Sequence, residues 1–570
     1  MLLQIPSVYA RLGGDGFDYY VLARSPFFDH DLELANDFEG LHASGLASPT
    51  GGVASPTPVG TALLWTPALL LAHLGTLLAR GLGLALEADG FSAPYQAVVV
   101  LASFVYGALA LFLTEQVVRR YHGPAVAFLV AFALWVGTPL GFYAVVQPFM
   151  SHACSAFAAT VFLVLWLETR ERRDVRSGMA LGFVGGLMAL VRIQDGVLLL
   201  LPLADFIWDR RPGWLKRTLA FFVGPVLAAL LQAYVWARLW GPGFLGSVQG
   251  VNRFTGESHL VDFLLSPRHG AFIWTPLWLV GALGLVLALR RAPRLAALCL
   301  LGVGLAVFMN ASLADWWGAD SFGQRRLLGV TLLFGLGLGE VVTTVAHRPL
   351  LPIAAILAAF AFWNQQLGVI YNSESVAPRG DAVTFDRLAT AQAELLSRQW
   401  MEAEGRLPRG LFNLGYDNLK GFWLDPQGSR PSRLRLGQSY PGLPFMIGPG
   451  WFAPEREGEI EFRRSRGSTA TLRLPIRAPT ELKVWLRVRS LIEGRPVRVS
   501  LSVNGQPSGQ ADASSGWSDL GFAISETSLE PGFNTFRLTY YPTPRDLDAD
   551  HEGANAAVAV AEVRVESAKP

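Results

Sequence analysis

The residues best suited to chemistry in this chain are acids, arginines and histidines that interrupt otherwise apolar sequence. The first group is Gly13-Gly14-Asp15-Gly16-Phe17-Asp18-Tyr19-Tyr20, followed by Arg24. Carboxylates three residues apart share one helix face, so Asp15 and Asp18 can look into one cavity. Asp29-His30-Asp31 and Asn36-Asp37 come next. Any of these acids could be a base. Asp29, His30 and Asp31 are the only candidates for a divalent metal, through oxygen and imidazole. A solvated acidic loop is the plainer alternative. The second group is Gln147-Pro148-Phe149-Met150-Ser151-His152. Its histidine either caps or packs a helix start, or offers a neutral ring to a substrate hydroxyl. The third is Arg192 to Asp195, close enough simply to pair with each other. The fourth is Ser266-Pro267-Arg268-His269-Gly270, ahead of Trp274 and Trp278. The fifth runs from Asp315-Trp316-Trp317-Gly318 to Arg325-Arg326. Adjacent arginines present planar forks suited to phosphate oxygens. Trp316 and Trp317 also fit the aromatic belt of a membrane interface.

These groups need elements to hold them, and composition says which. Of 570 residues, 51% are hydrophobic and 16% charged, where a soluble chain carries about a quarter charged residues. A net charge of +2 offers no broad basic surface for nucleic acid. Cys154 and Cys299, both in apolar runs, exclude a disulfide scaffold and a cysteine-built zinc site. A multi-spanning membrane protein remains. The apolar runs crowd between about residues 60 and 370 and predict about ten spans, at 96–118, 124–145, 152–168, 178–191, 196–208, 216–240, 271–289, 295–313, 326–345 and 350–370. Most approach the ~20 residues that cross a bilayer as helix.

Loop charges predict the orientation. One set of loops holds Arg119, Arg120, Arg170, Arg172, Arg173, Arg176, Arg210, Arg211, Lys216, Arg217, Arg290, Arg291, Arg294 and Arg348; the alternate set holds Arg192, Arg238, Arg253, Arg268, Arg325 and Arg326. Fourteen against six makes the first set cytoplasmic. The same parity makes the short pair 178–191 and 196–208 a tight hairpin or a re-entrant pair, tipped by Arg192 to Gly196. It places residues 1–95 and the tail outside. Residues 2–8 then read as the last turns of a truncated first spanning helix. The run 59–84, interrupted by Pro67, His73 and Arg80, reads as a helix along the outer interface. All five groups fall on the outer side, where ionisable residues near membrane depth point to function.

The expected domains are 1–95, an outer first loop with the acidic motif and interfacial helix; 96–370, the spans; 371–440, a linker with a helix near 383–403; and 441–570. In the last, residues 459–463, 469–474, 481–489, 497–503, 534–541 and 557–565 alternate apolar with polar residues between Gly and Pro turns. That pattern predicts an extracytoplasmic β-sandwich, jelly-roll-like, serving as a sugar-binding module or a structural cap. The fold class is thus a mainly α polytopic membrane domain followed by a β-sandwich. Gly335-Leu336-Gly337-Leu338-Gly339 lies inside a predicted span, which makes it close helix packing rather than a dinucleotide loop. No Gly-Lys-Ser/Thr phosphate loop and no His-Glu-x-x-His occur. No internal repeat is evident, which weakens a transporter of inverted repeats.

The layout resembles the GT-C superfamily of membrane glycosyltransferases, which includes protein O-mannosyltransferases and aminoarabinose transferases. The resemblance covers roughly residues 10–370. It is carried by Gly14-Asp15-Gly16-Phe17-Asp18-Tyr19-Tyr20 with Asp29-His30-Asp31-Leu32, and by Pro58-Val59-Gly60. Pro148-Phe149-Met150-Ser151-His152 and Trp316-Trp317-Gly318 with Arg325-Arg326 are similar to an uncharacterised bacterial branch. The family often shows Asp-Glu where this chain has Asp15-Gly16, and it starts with an in-to-out helix before the acidic loop. The resemblance implies an inverting transfer from a polyprenyl-phosphate sugar to a hydroxyl of a lipid, glycan or protein, at the outer face of a bacterial inner membrane. Asp15 or Asp18 would be the base. Arg24, Arg268, His269, Arg325 or Arg326 would hold the leaving phosphate, with His152, Arg192, Trp316 and Trp317 as further substrate contacts. No cofactor is required, though a divalent metal is compatible. The alternatives are a transporter or flippase for a lipid-linked or polar solute, and a membrane anchor for a sugar-binding domain.

Overall fold

A computed structural model describes residues 12–171, 174–208, 212–243, 254, 257–319, 321–345, 350–372, 383–404, 432–438, 446–476, 479–492, 494–530, 532–541 and 556–568. Residues 2–8, Arg172, Arg173, Arg210, Arg211, Arg253 and Arg348 lie outside this set, as does most of the linker. The chain forms two units, Met1–Gln365 and Gln366–Pro570.

The first unit is helical. Proline near the helix start supplies a preset φ and needs no donor there; it opens Ala93–His122, Pro124–Gly137, Pro139–Val145, Pro276–Ala288 and Pro293–Ala311. Asp174 caps Val175–Val191 by accepting from the Ser177 N–H at 2.8 Å. Among the described residues, seven helices are long and apolar enough to cross a membrane: Gly60–Gly81, Ala93–His122, His152–Thr169, Trp214–Trp240, Pro293–Ala311, Arg325–Val345 and Ala354–Tyr371. An eighth is Pro124–Gly137 with Pro139–Val145, bent by 66° where Thr138-Pro139 breaks the backbone ladder. The chain is an integral membrane protein by this measure.

The count differs from ten because three segments are short. Val175–Val191, Leu200–Trp208 and Pro276–Ala288 have 17, 9 and 13 residues, against the ~20 a crossing takes. Gly60–Gly81, expected along the interface, is a helix of 22 residues. It packs antiparallel to the first half of Ala93–His122: the Tyr106 hydroxyl donates to the Leu64 carbonyl (2.7 Å), Trp65 Nε1 to Ser103 Oγ (3.0 Å), and His73 Nδ1 meets the Tyr95 hydroxyl (2.9 Å). Pro67 lies inside this helix without ending it.

Small residues let the helices close up. A Cβ on Gly337 would stand 1.9 Å from the Gly281 carbonyl oxygen, and one on Gly182 2.0 Å from that of Phe221. The Gly335–Gly339 run is therefore a packing surface, as its position in a span predicts.

In the second unit the amphipathic helix Phe385–Glu404 precedes a two-sheet sandwich. One sheet has the strand order Ser518–Ile524, Leu482–Ser490, Val558–Ser567, Ile460–Ser465, Trp451–Glu457, with Ser432–Arg435 also pairing Val558–Ser567. The other has Thr469–Ile476, Gly532–Tyr541, Val497–Val503, Gln506–Ala513. All pairs are antiparallel. The inward residues, such as Leu482, Val484, Leu486 and Val488, form the core between the sheets, which is why the strands alternate. Arg463 is buried by a two-pronged ion pair with Glu394 of the helix, Nη2 to Oε1 at 2.5 Å.

Candidate active site

The helix Asp15–Phe28 starts at Gly14, whose φ of 52° suits glycine. Gly16 then lies against Phe149. A Cβ there would stand 3.0 Å from Phe149 Cβ and 3.2 Å from its carbonyl oxygen. This close approach explains why the position after Asp15 carries no side chain, and it sets the first turn of the helix beside the Phe149–His152 segment. Gly60 makes a similar contact, where a Cβ would meet the Val191 nitrogen at 2.2 Å. The loop before it is thereby fixed next to Arg192. Its backbone is also held by Gln232, whose Oε1 accepts from Val59 N–H at 2.9 Å.

These contacts enclose a cavity of about 380 Å³. Its polar lining includes Asp15, Thr57, Ser151, His152, Arg192, Gln194, Arg325 and Arg326; Trp236, Phe254, Met309 and Leu313 are among its apolar walls. Asp15 is exposed to it. His152 is buried and stacks against Tyr143, ring centroids 4.5 Å apart. Its Nδ1 is in hydrogen-bond contact with Arg192 Nη1. A guanidinium can only donate, so Nδ1 accepts and the ring proton sits on Nε2. Arg192 is itself buried, and its Nε has no partner among the described residues. Arg326 is tied to Asp315, Nη1 to the carbonyl at 2.9 Å and Nη2 to Oδ2 at 2.5 Å. Arg325 Nη2 donates to the Gly318 carbonyl at 3.2 Å. The Asp195 N–H donates to the Arg192 carbonyl at 3.0 Å, while the Asp195 carboxylate accepts from Ser155 Oγ at 2.6 Å.

The other sequence-derived candidates lie around this cavity rather than in its lining. Asp18 sits one turn along from Asp15 and is half-buried. Burial raises its pKa to about 7, with help from the charge of Asp15. Arg268 lies over the Trp317 ring at 4.0 Å, and Trp316 stands edge-on to Trp317 with centroids 5.8 Å apart. His269 is buried against Trp274, and burial with the charges of Arg268 and Arg325 pushes its imidazole down to about 3. The loop bearing both tryptophans is bonded by Arg325 and Arg326, so this patch adjoins the cavity.

Arg24 belongs to a separate cluster. Its Nη1 bonds Asp29 Oδ2 and Asp37 Oδ1, each at 2.6 Å, and its Nε and Nη2 bond the Asp89 carbonyl. Asp31 accepts from Ser25 Oγ at 2.9 Å and from the Glu33 N–H at 3.0 Å. The carboxylates of the Asp29-His30-Asp31 run are committed to these bonds. No group of three or more metal-ligating side chains is found among the described residues.

Trp236, Phe254 and Met309 were not singled out by the sequence. Each reads there as an ordinary apolar residue, and only the folded chain brings it to the cavity wall. Ser151 stood inside a motif without a role.

No family model matches the chain, and no curated protein matches it. Among solved structures it is similar to ArnT from Cupriavidus metallidurans in the apo state, with 14% identity and a TM-score of 0.43 over 68% of this chain and 64% of that one. The match to the same protein bound to undecaprenyl phosphate has 14% identity and a TM-score of 0.40, over 70% and 69% of the chains. A family 35 carbohydrate binding module from Clostridium thermocellum matches with 14% identity and a TM-score of 0.18, over 25% of this chain and all of that one.

Proposed function

We propose that the chain is an inverting membrane glycosyltransferase that moves a sugar from a polyprenyl-phosphate donor to a hydroxyl acceptor. The observation that carries this reading is the convergence of one exposed carboxylate, three arginines and a singly protonated histidine on one cavity with apolar walls. Asp15 takes the proton of the acceptor hydroxyl. The oxygen attacks the anomeric carbon from the face opposite the phosphate, and the bond from that carbon to the phosphate oxygen breaks. The leaving phosphate gains charge, which Arg192, Arg325 and Arg326 receive. His152 can add its Nε2–H.

The physical chemistry supports this division. A base within hydrogen-bond reach contributes about 10²–10⁴ in rate. Cations fixed beforehand around the developing charge act strongly in a site poor in water. His152 and Arg325 also begin spanning helices, whose N-terminal dipole ends favour an anion. The apolar walls suit the first isoprene units of a lipid donor. Loop charges favour a site on the outer side of the membrane.

The test is turnover by the purified protein in lipid with a panel of radiolabelled polyprenyl-phosphate sugars. Transfer or donor hydrolysis that is lost in a folded Asp15→Asn protein is the expected result. A protein that neither turns over any donor nor binds undecaprenyl phosphate overturns the reading, and a transporter for lipid-linked solutes takes its place.

A further inference from the structure

A second cavity, of about 170 Å³, opens where four helices end or begin. His122 closes Ala93–His122, Leu285 and Ala288 lie in the last turn of Pro276–Ala288, Ala296 lies in the first turn of Pro293–Ala311, and Glu340 lies near the end of Arg325–Val345. Arg325, at the start of that last span, lines the candidate active site. Glu340 stands about 22 Å further along at 1.5 Å per residue, so the two cavities lie at opposite ends of one spanning helix. Packing sets the wall beside Glu340. A Cβ on Gly339 would stand 2.5 Å from the His122 ring, and His122 Nδ1 is hydrogen-bonded to Thr343 Oγ1 at 3.1 Å.

The charges of this cavity are ordered by depth. The Glu340 side chain is 8% exposed, and that of Arg291, at the mouth, 56%. Arg291 Nη1 pairs with Glu340 Oε1 at 3.1 Å, and Thr344 Oγ1 approaches the same oxygen at 3.4 Å. Glu340 Oε2 has no hydrogen-bond partner among the described residues. A buried carboxylate within a span is costly and points to a use, and its second oxygen is left for a donor. The walls Leu285, Ala296 and Leu336 are buried and apolar. The ligand that fits this order carries an ammonium at its tip, a short apolar link and a phosphate behind it. Its ammonium donates to Glu340, its methylenes meet the walls, and its phosphate takes the remaining nitrogens of Arg291, whose planar fork suits it. Phosphate, guanidinium, carboxylate and ammonium then alternate in sign. At the end of a span such a group comes from a membrane lipid: Leu283, Val286 and Leu289 are exposed alongside and offer acyl chains an apolar surface. We propose that this cavity binds the phosphoethanolamine headgroup of a membrane phospholipid, with Glu340 taking the ammonium and Arg291 the phosphate. Loop charges favour the cytoplasmic leaflet for it.

The site is independent of the glycosyl-transfer reading, and its test needs no turnover. The purified protein is reconstituted in bilayers of phosphatidylethanolamine, phosphatidylcholine and phosphatidylglycerol in equal parts. It is then extracted in detergent and weighed with its retained lipids by native mass spectrometry. Phosphatidylcholine keeps the positive charge without an N–H, and phosphatidylglycerol keeps the phosphate without the ammonium. Phosphatidylethanolamine is expected to be retained about tenfold over either, as a hydrogen bond to a charged group predicts. Glu340→Gln removes the preference. Ala288→Leu fills the half-buried mouth, leaves both charges in place and lowers phosphatidylethanolamine retention by a similar factor. It decides the matter where Glu340→Gln fails to fold. Equal retention of the three lipids by the parent protein, or a preference for phosphatidylglycerol, overturns the proposal. A preference that survives in Ala288→Leu puts the lipid elsewhere and overturns it too. Loss of the retained lipid to excess soluble phosphoethanolamine gives the site to a solute and overturns the lipid assignment.

Discussion

The helix Asp15–Phe28 carries the same chemistry at both ends, with opposite outcomes. Near its end, Arg24 is enclosed by Asp29, Asp37 and the Asp89 carbonyl, and its guanidinium lies 3.7 Å from the Phe91 ring centroid. Its donors are spent on the protein, and its charge is matched by two carboxylates. At the start, Asp15 faces three arginines across open space. There Arg192 donates to a neutral ring, and Arg326 pairs with Asp315. Burial of arginine does not separate the two regions, since Arg24 and Arg192 are both buried. What separates them is that the Arg24 fork is filled by protein acceptors, whereas Arg192 keeps an Nε without a hydrogen-bond partner among the described residues at the cavity wall. A buried pair with its fork filled holds a loop to a helix. A cavity lined by several cations attracts an anion.

Breaking each end should give different failures. Asp15→Asn is expected to lower transfer about 10²- to 10⁴-fold with little change in thermal stability, measured by turnover and by unfolding in the same detergent. A mutant that loses activity only in proportion to lost folded protein would erase the distinction. Arg24→Met leaves the buried Asp37 and the half-buried Asp29 without their cation and should cost about 3–5 kcal/mol of stability. The protein that remains folded should retain its turnover per molecule. Arg192→Gln should lower turnover about 10²-fold and weaken undecaprenyl phosphate binding, with unfolding nearly unchanged. If Arg24→Met weakens that binding more than Arg192→Gln does, the two clusters have been assigned the wrong way round.

Their legibility in sequence follows the same contrast. The strand pattern of the tail was legible because one face of each strand is buried and alternation records that directly: the expected 469–474 and 497–503 match Thr469–Ile476 and Val497–Val503. The acidic motif, the His152 segment and the Arg325-Arg326 pair were legible as polar residues where apolar ones are the rule. Arg24 and Arg192 could not be told apart, because the residues that answer Arg24 include Asp37 and the Asp89 carbonyl, which only the fold brings near. Trp236, Phe254 and Met309 left no signal, since an apolar wall of a cavity reads like any lipid-facing or core residue.

Asp18 stands between the two cases and supports the mildest prediction. Its folded pKa, about 7, lies above the ordinary carboxylate value of 3.8. The folded state therefore binds its proton more tightly than the unfolded state does. Below pH 3.8 both states are protonated, and the group contributes no difference. As pH rises from 3.8 toward 7 the unfolded chain releases the proton first, so stability falls, and above 7 the loss is complete. At 1.36 kcal/mol per pKa unit, discounted for partial solvation, the loss is on the order of 2 kcal/mol. Asp18→Asn removes the ionisation. It should match the parent protein in thermal unfolding at about pH 4 and exceed it at about pH 8. An Asp18→Asn protein less stable than the parent at both pH values would mean that the carboxylate is answered by a cation, as in the Arg24 cluster, and would move Asp18 to that side of the comparison.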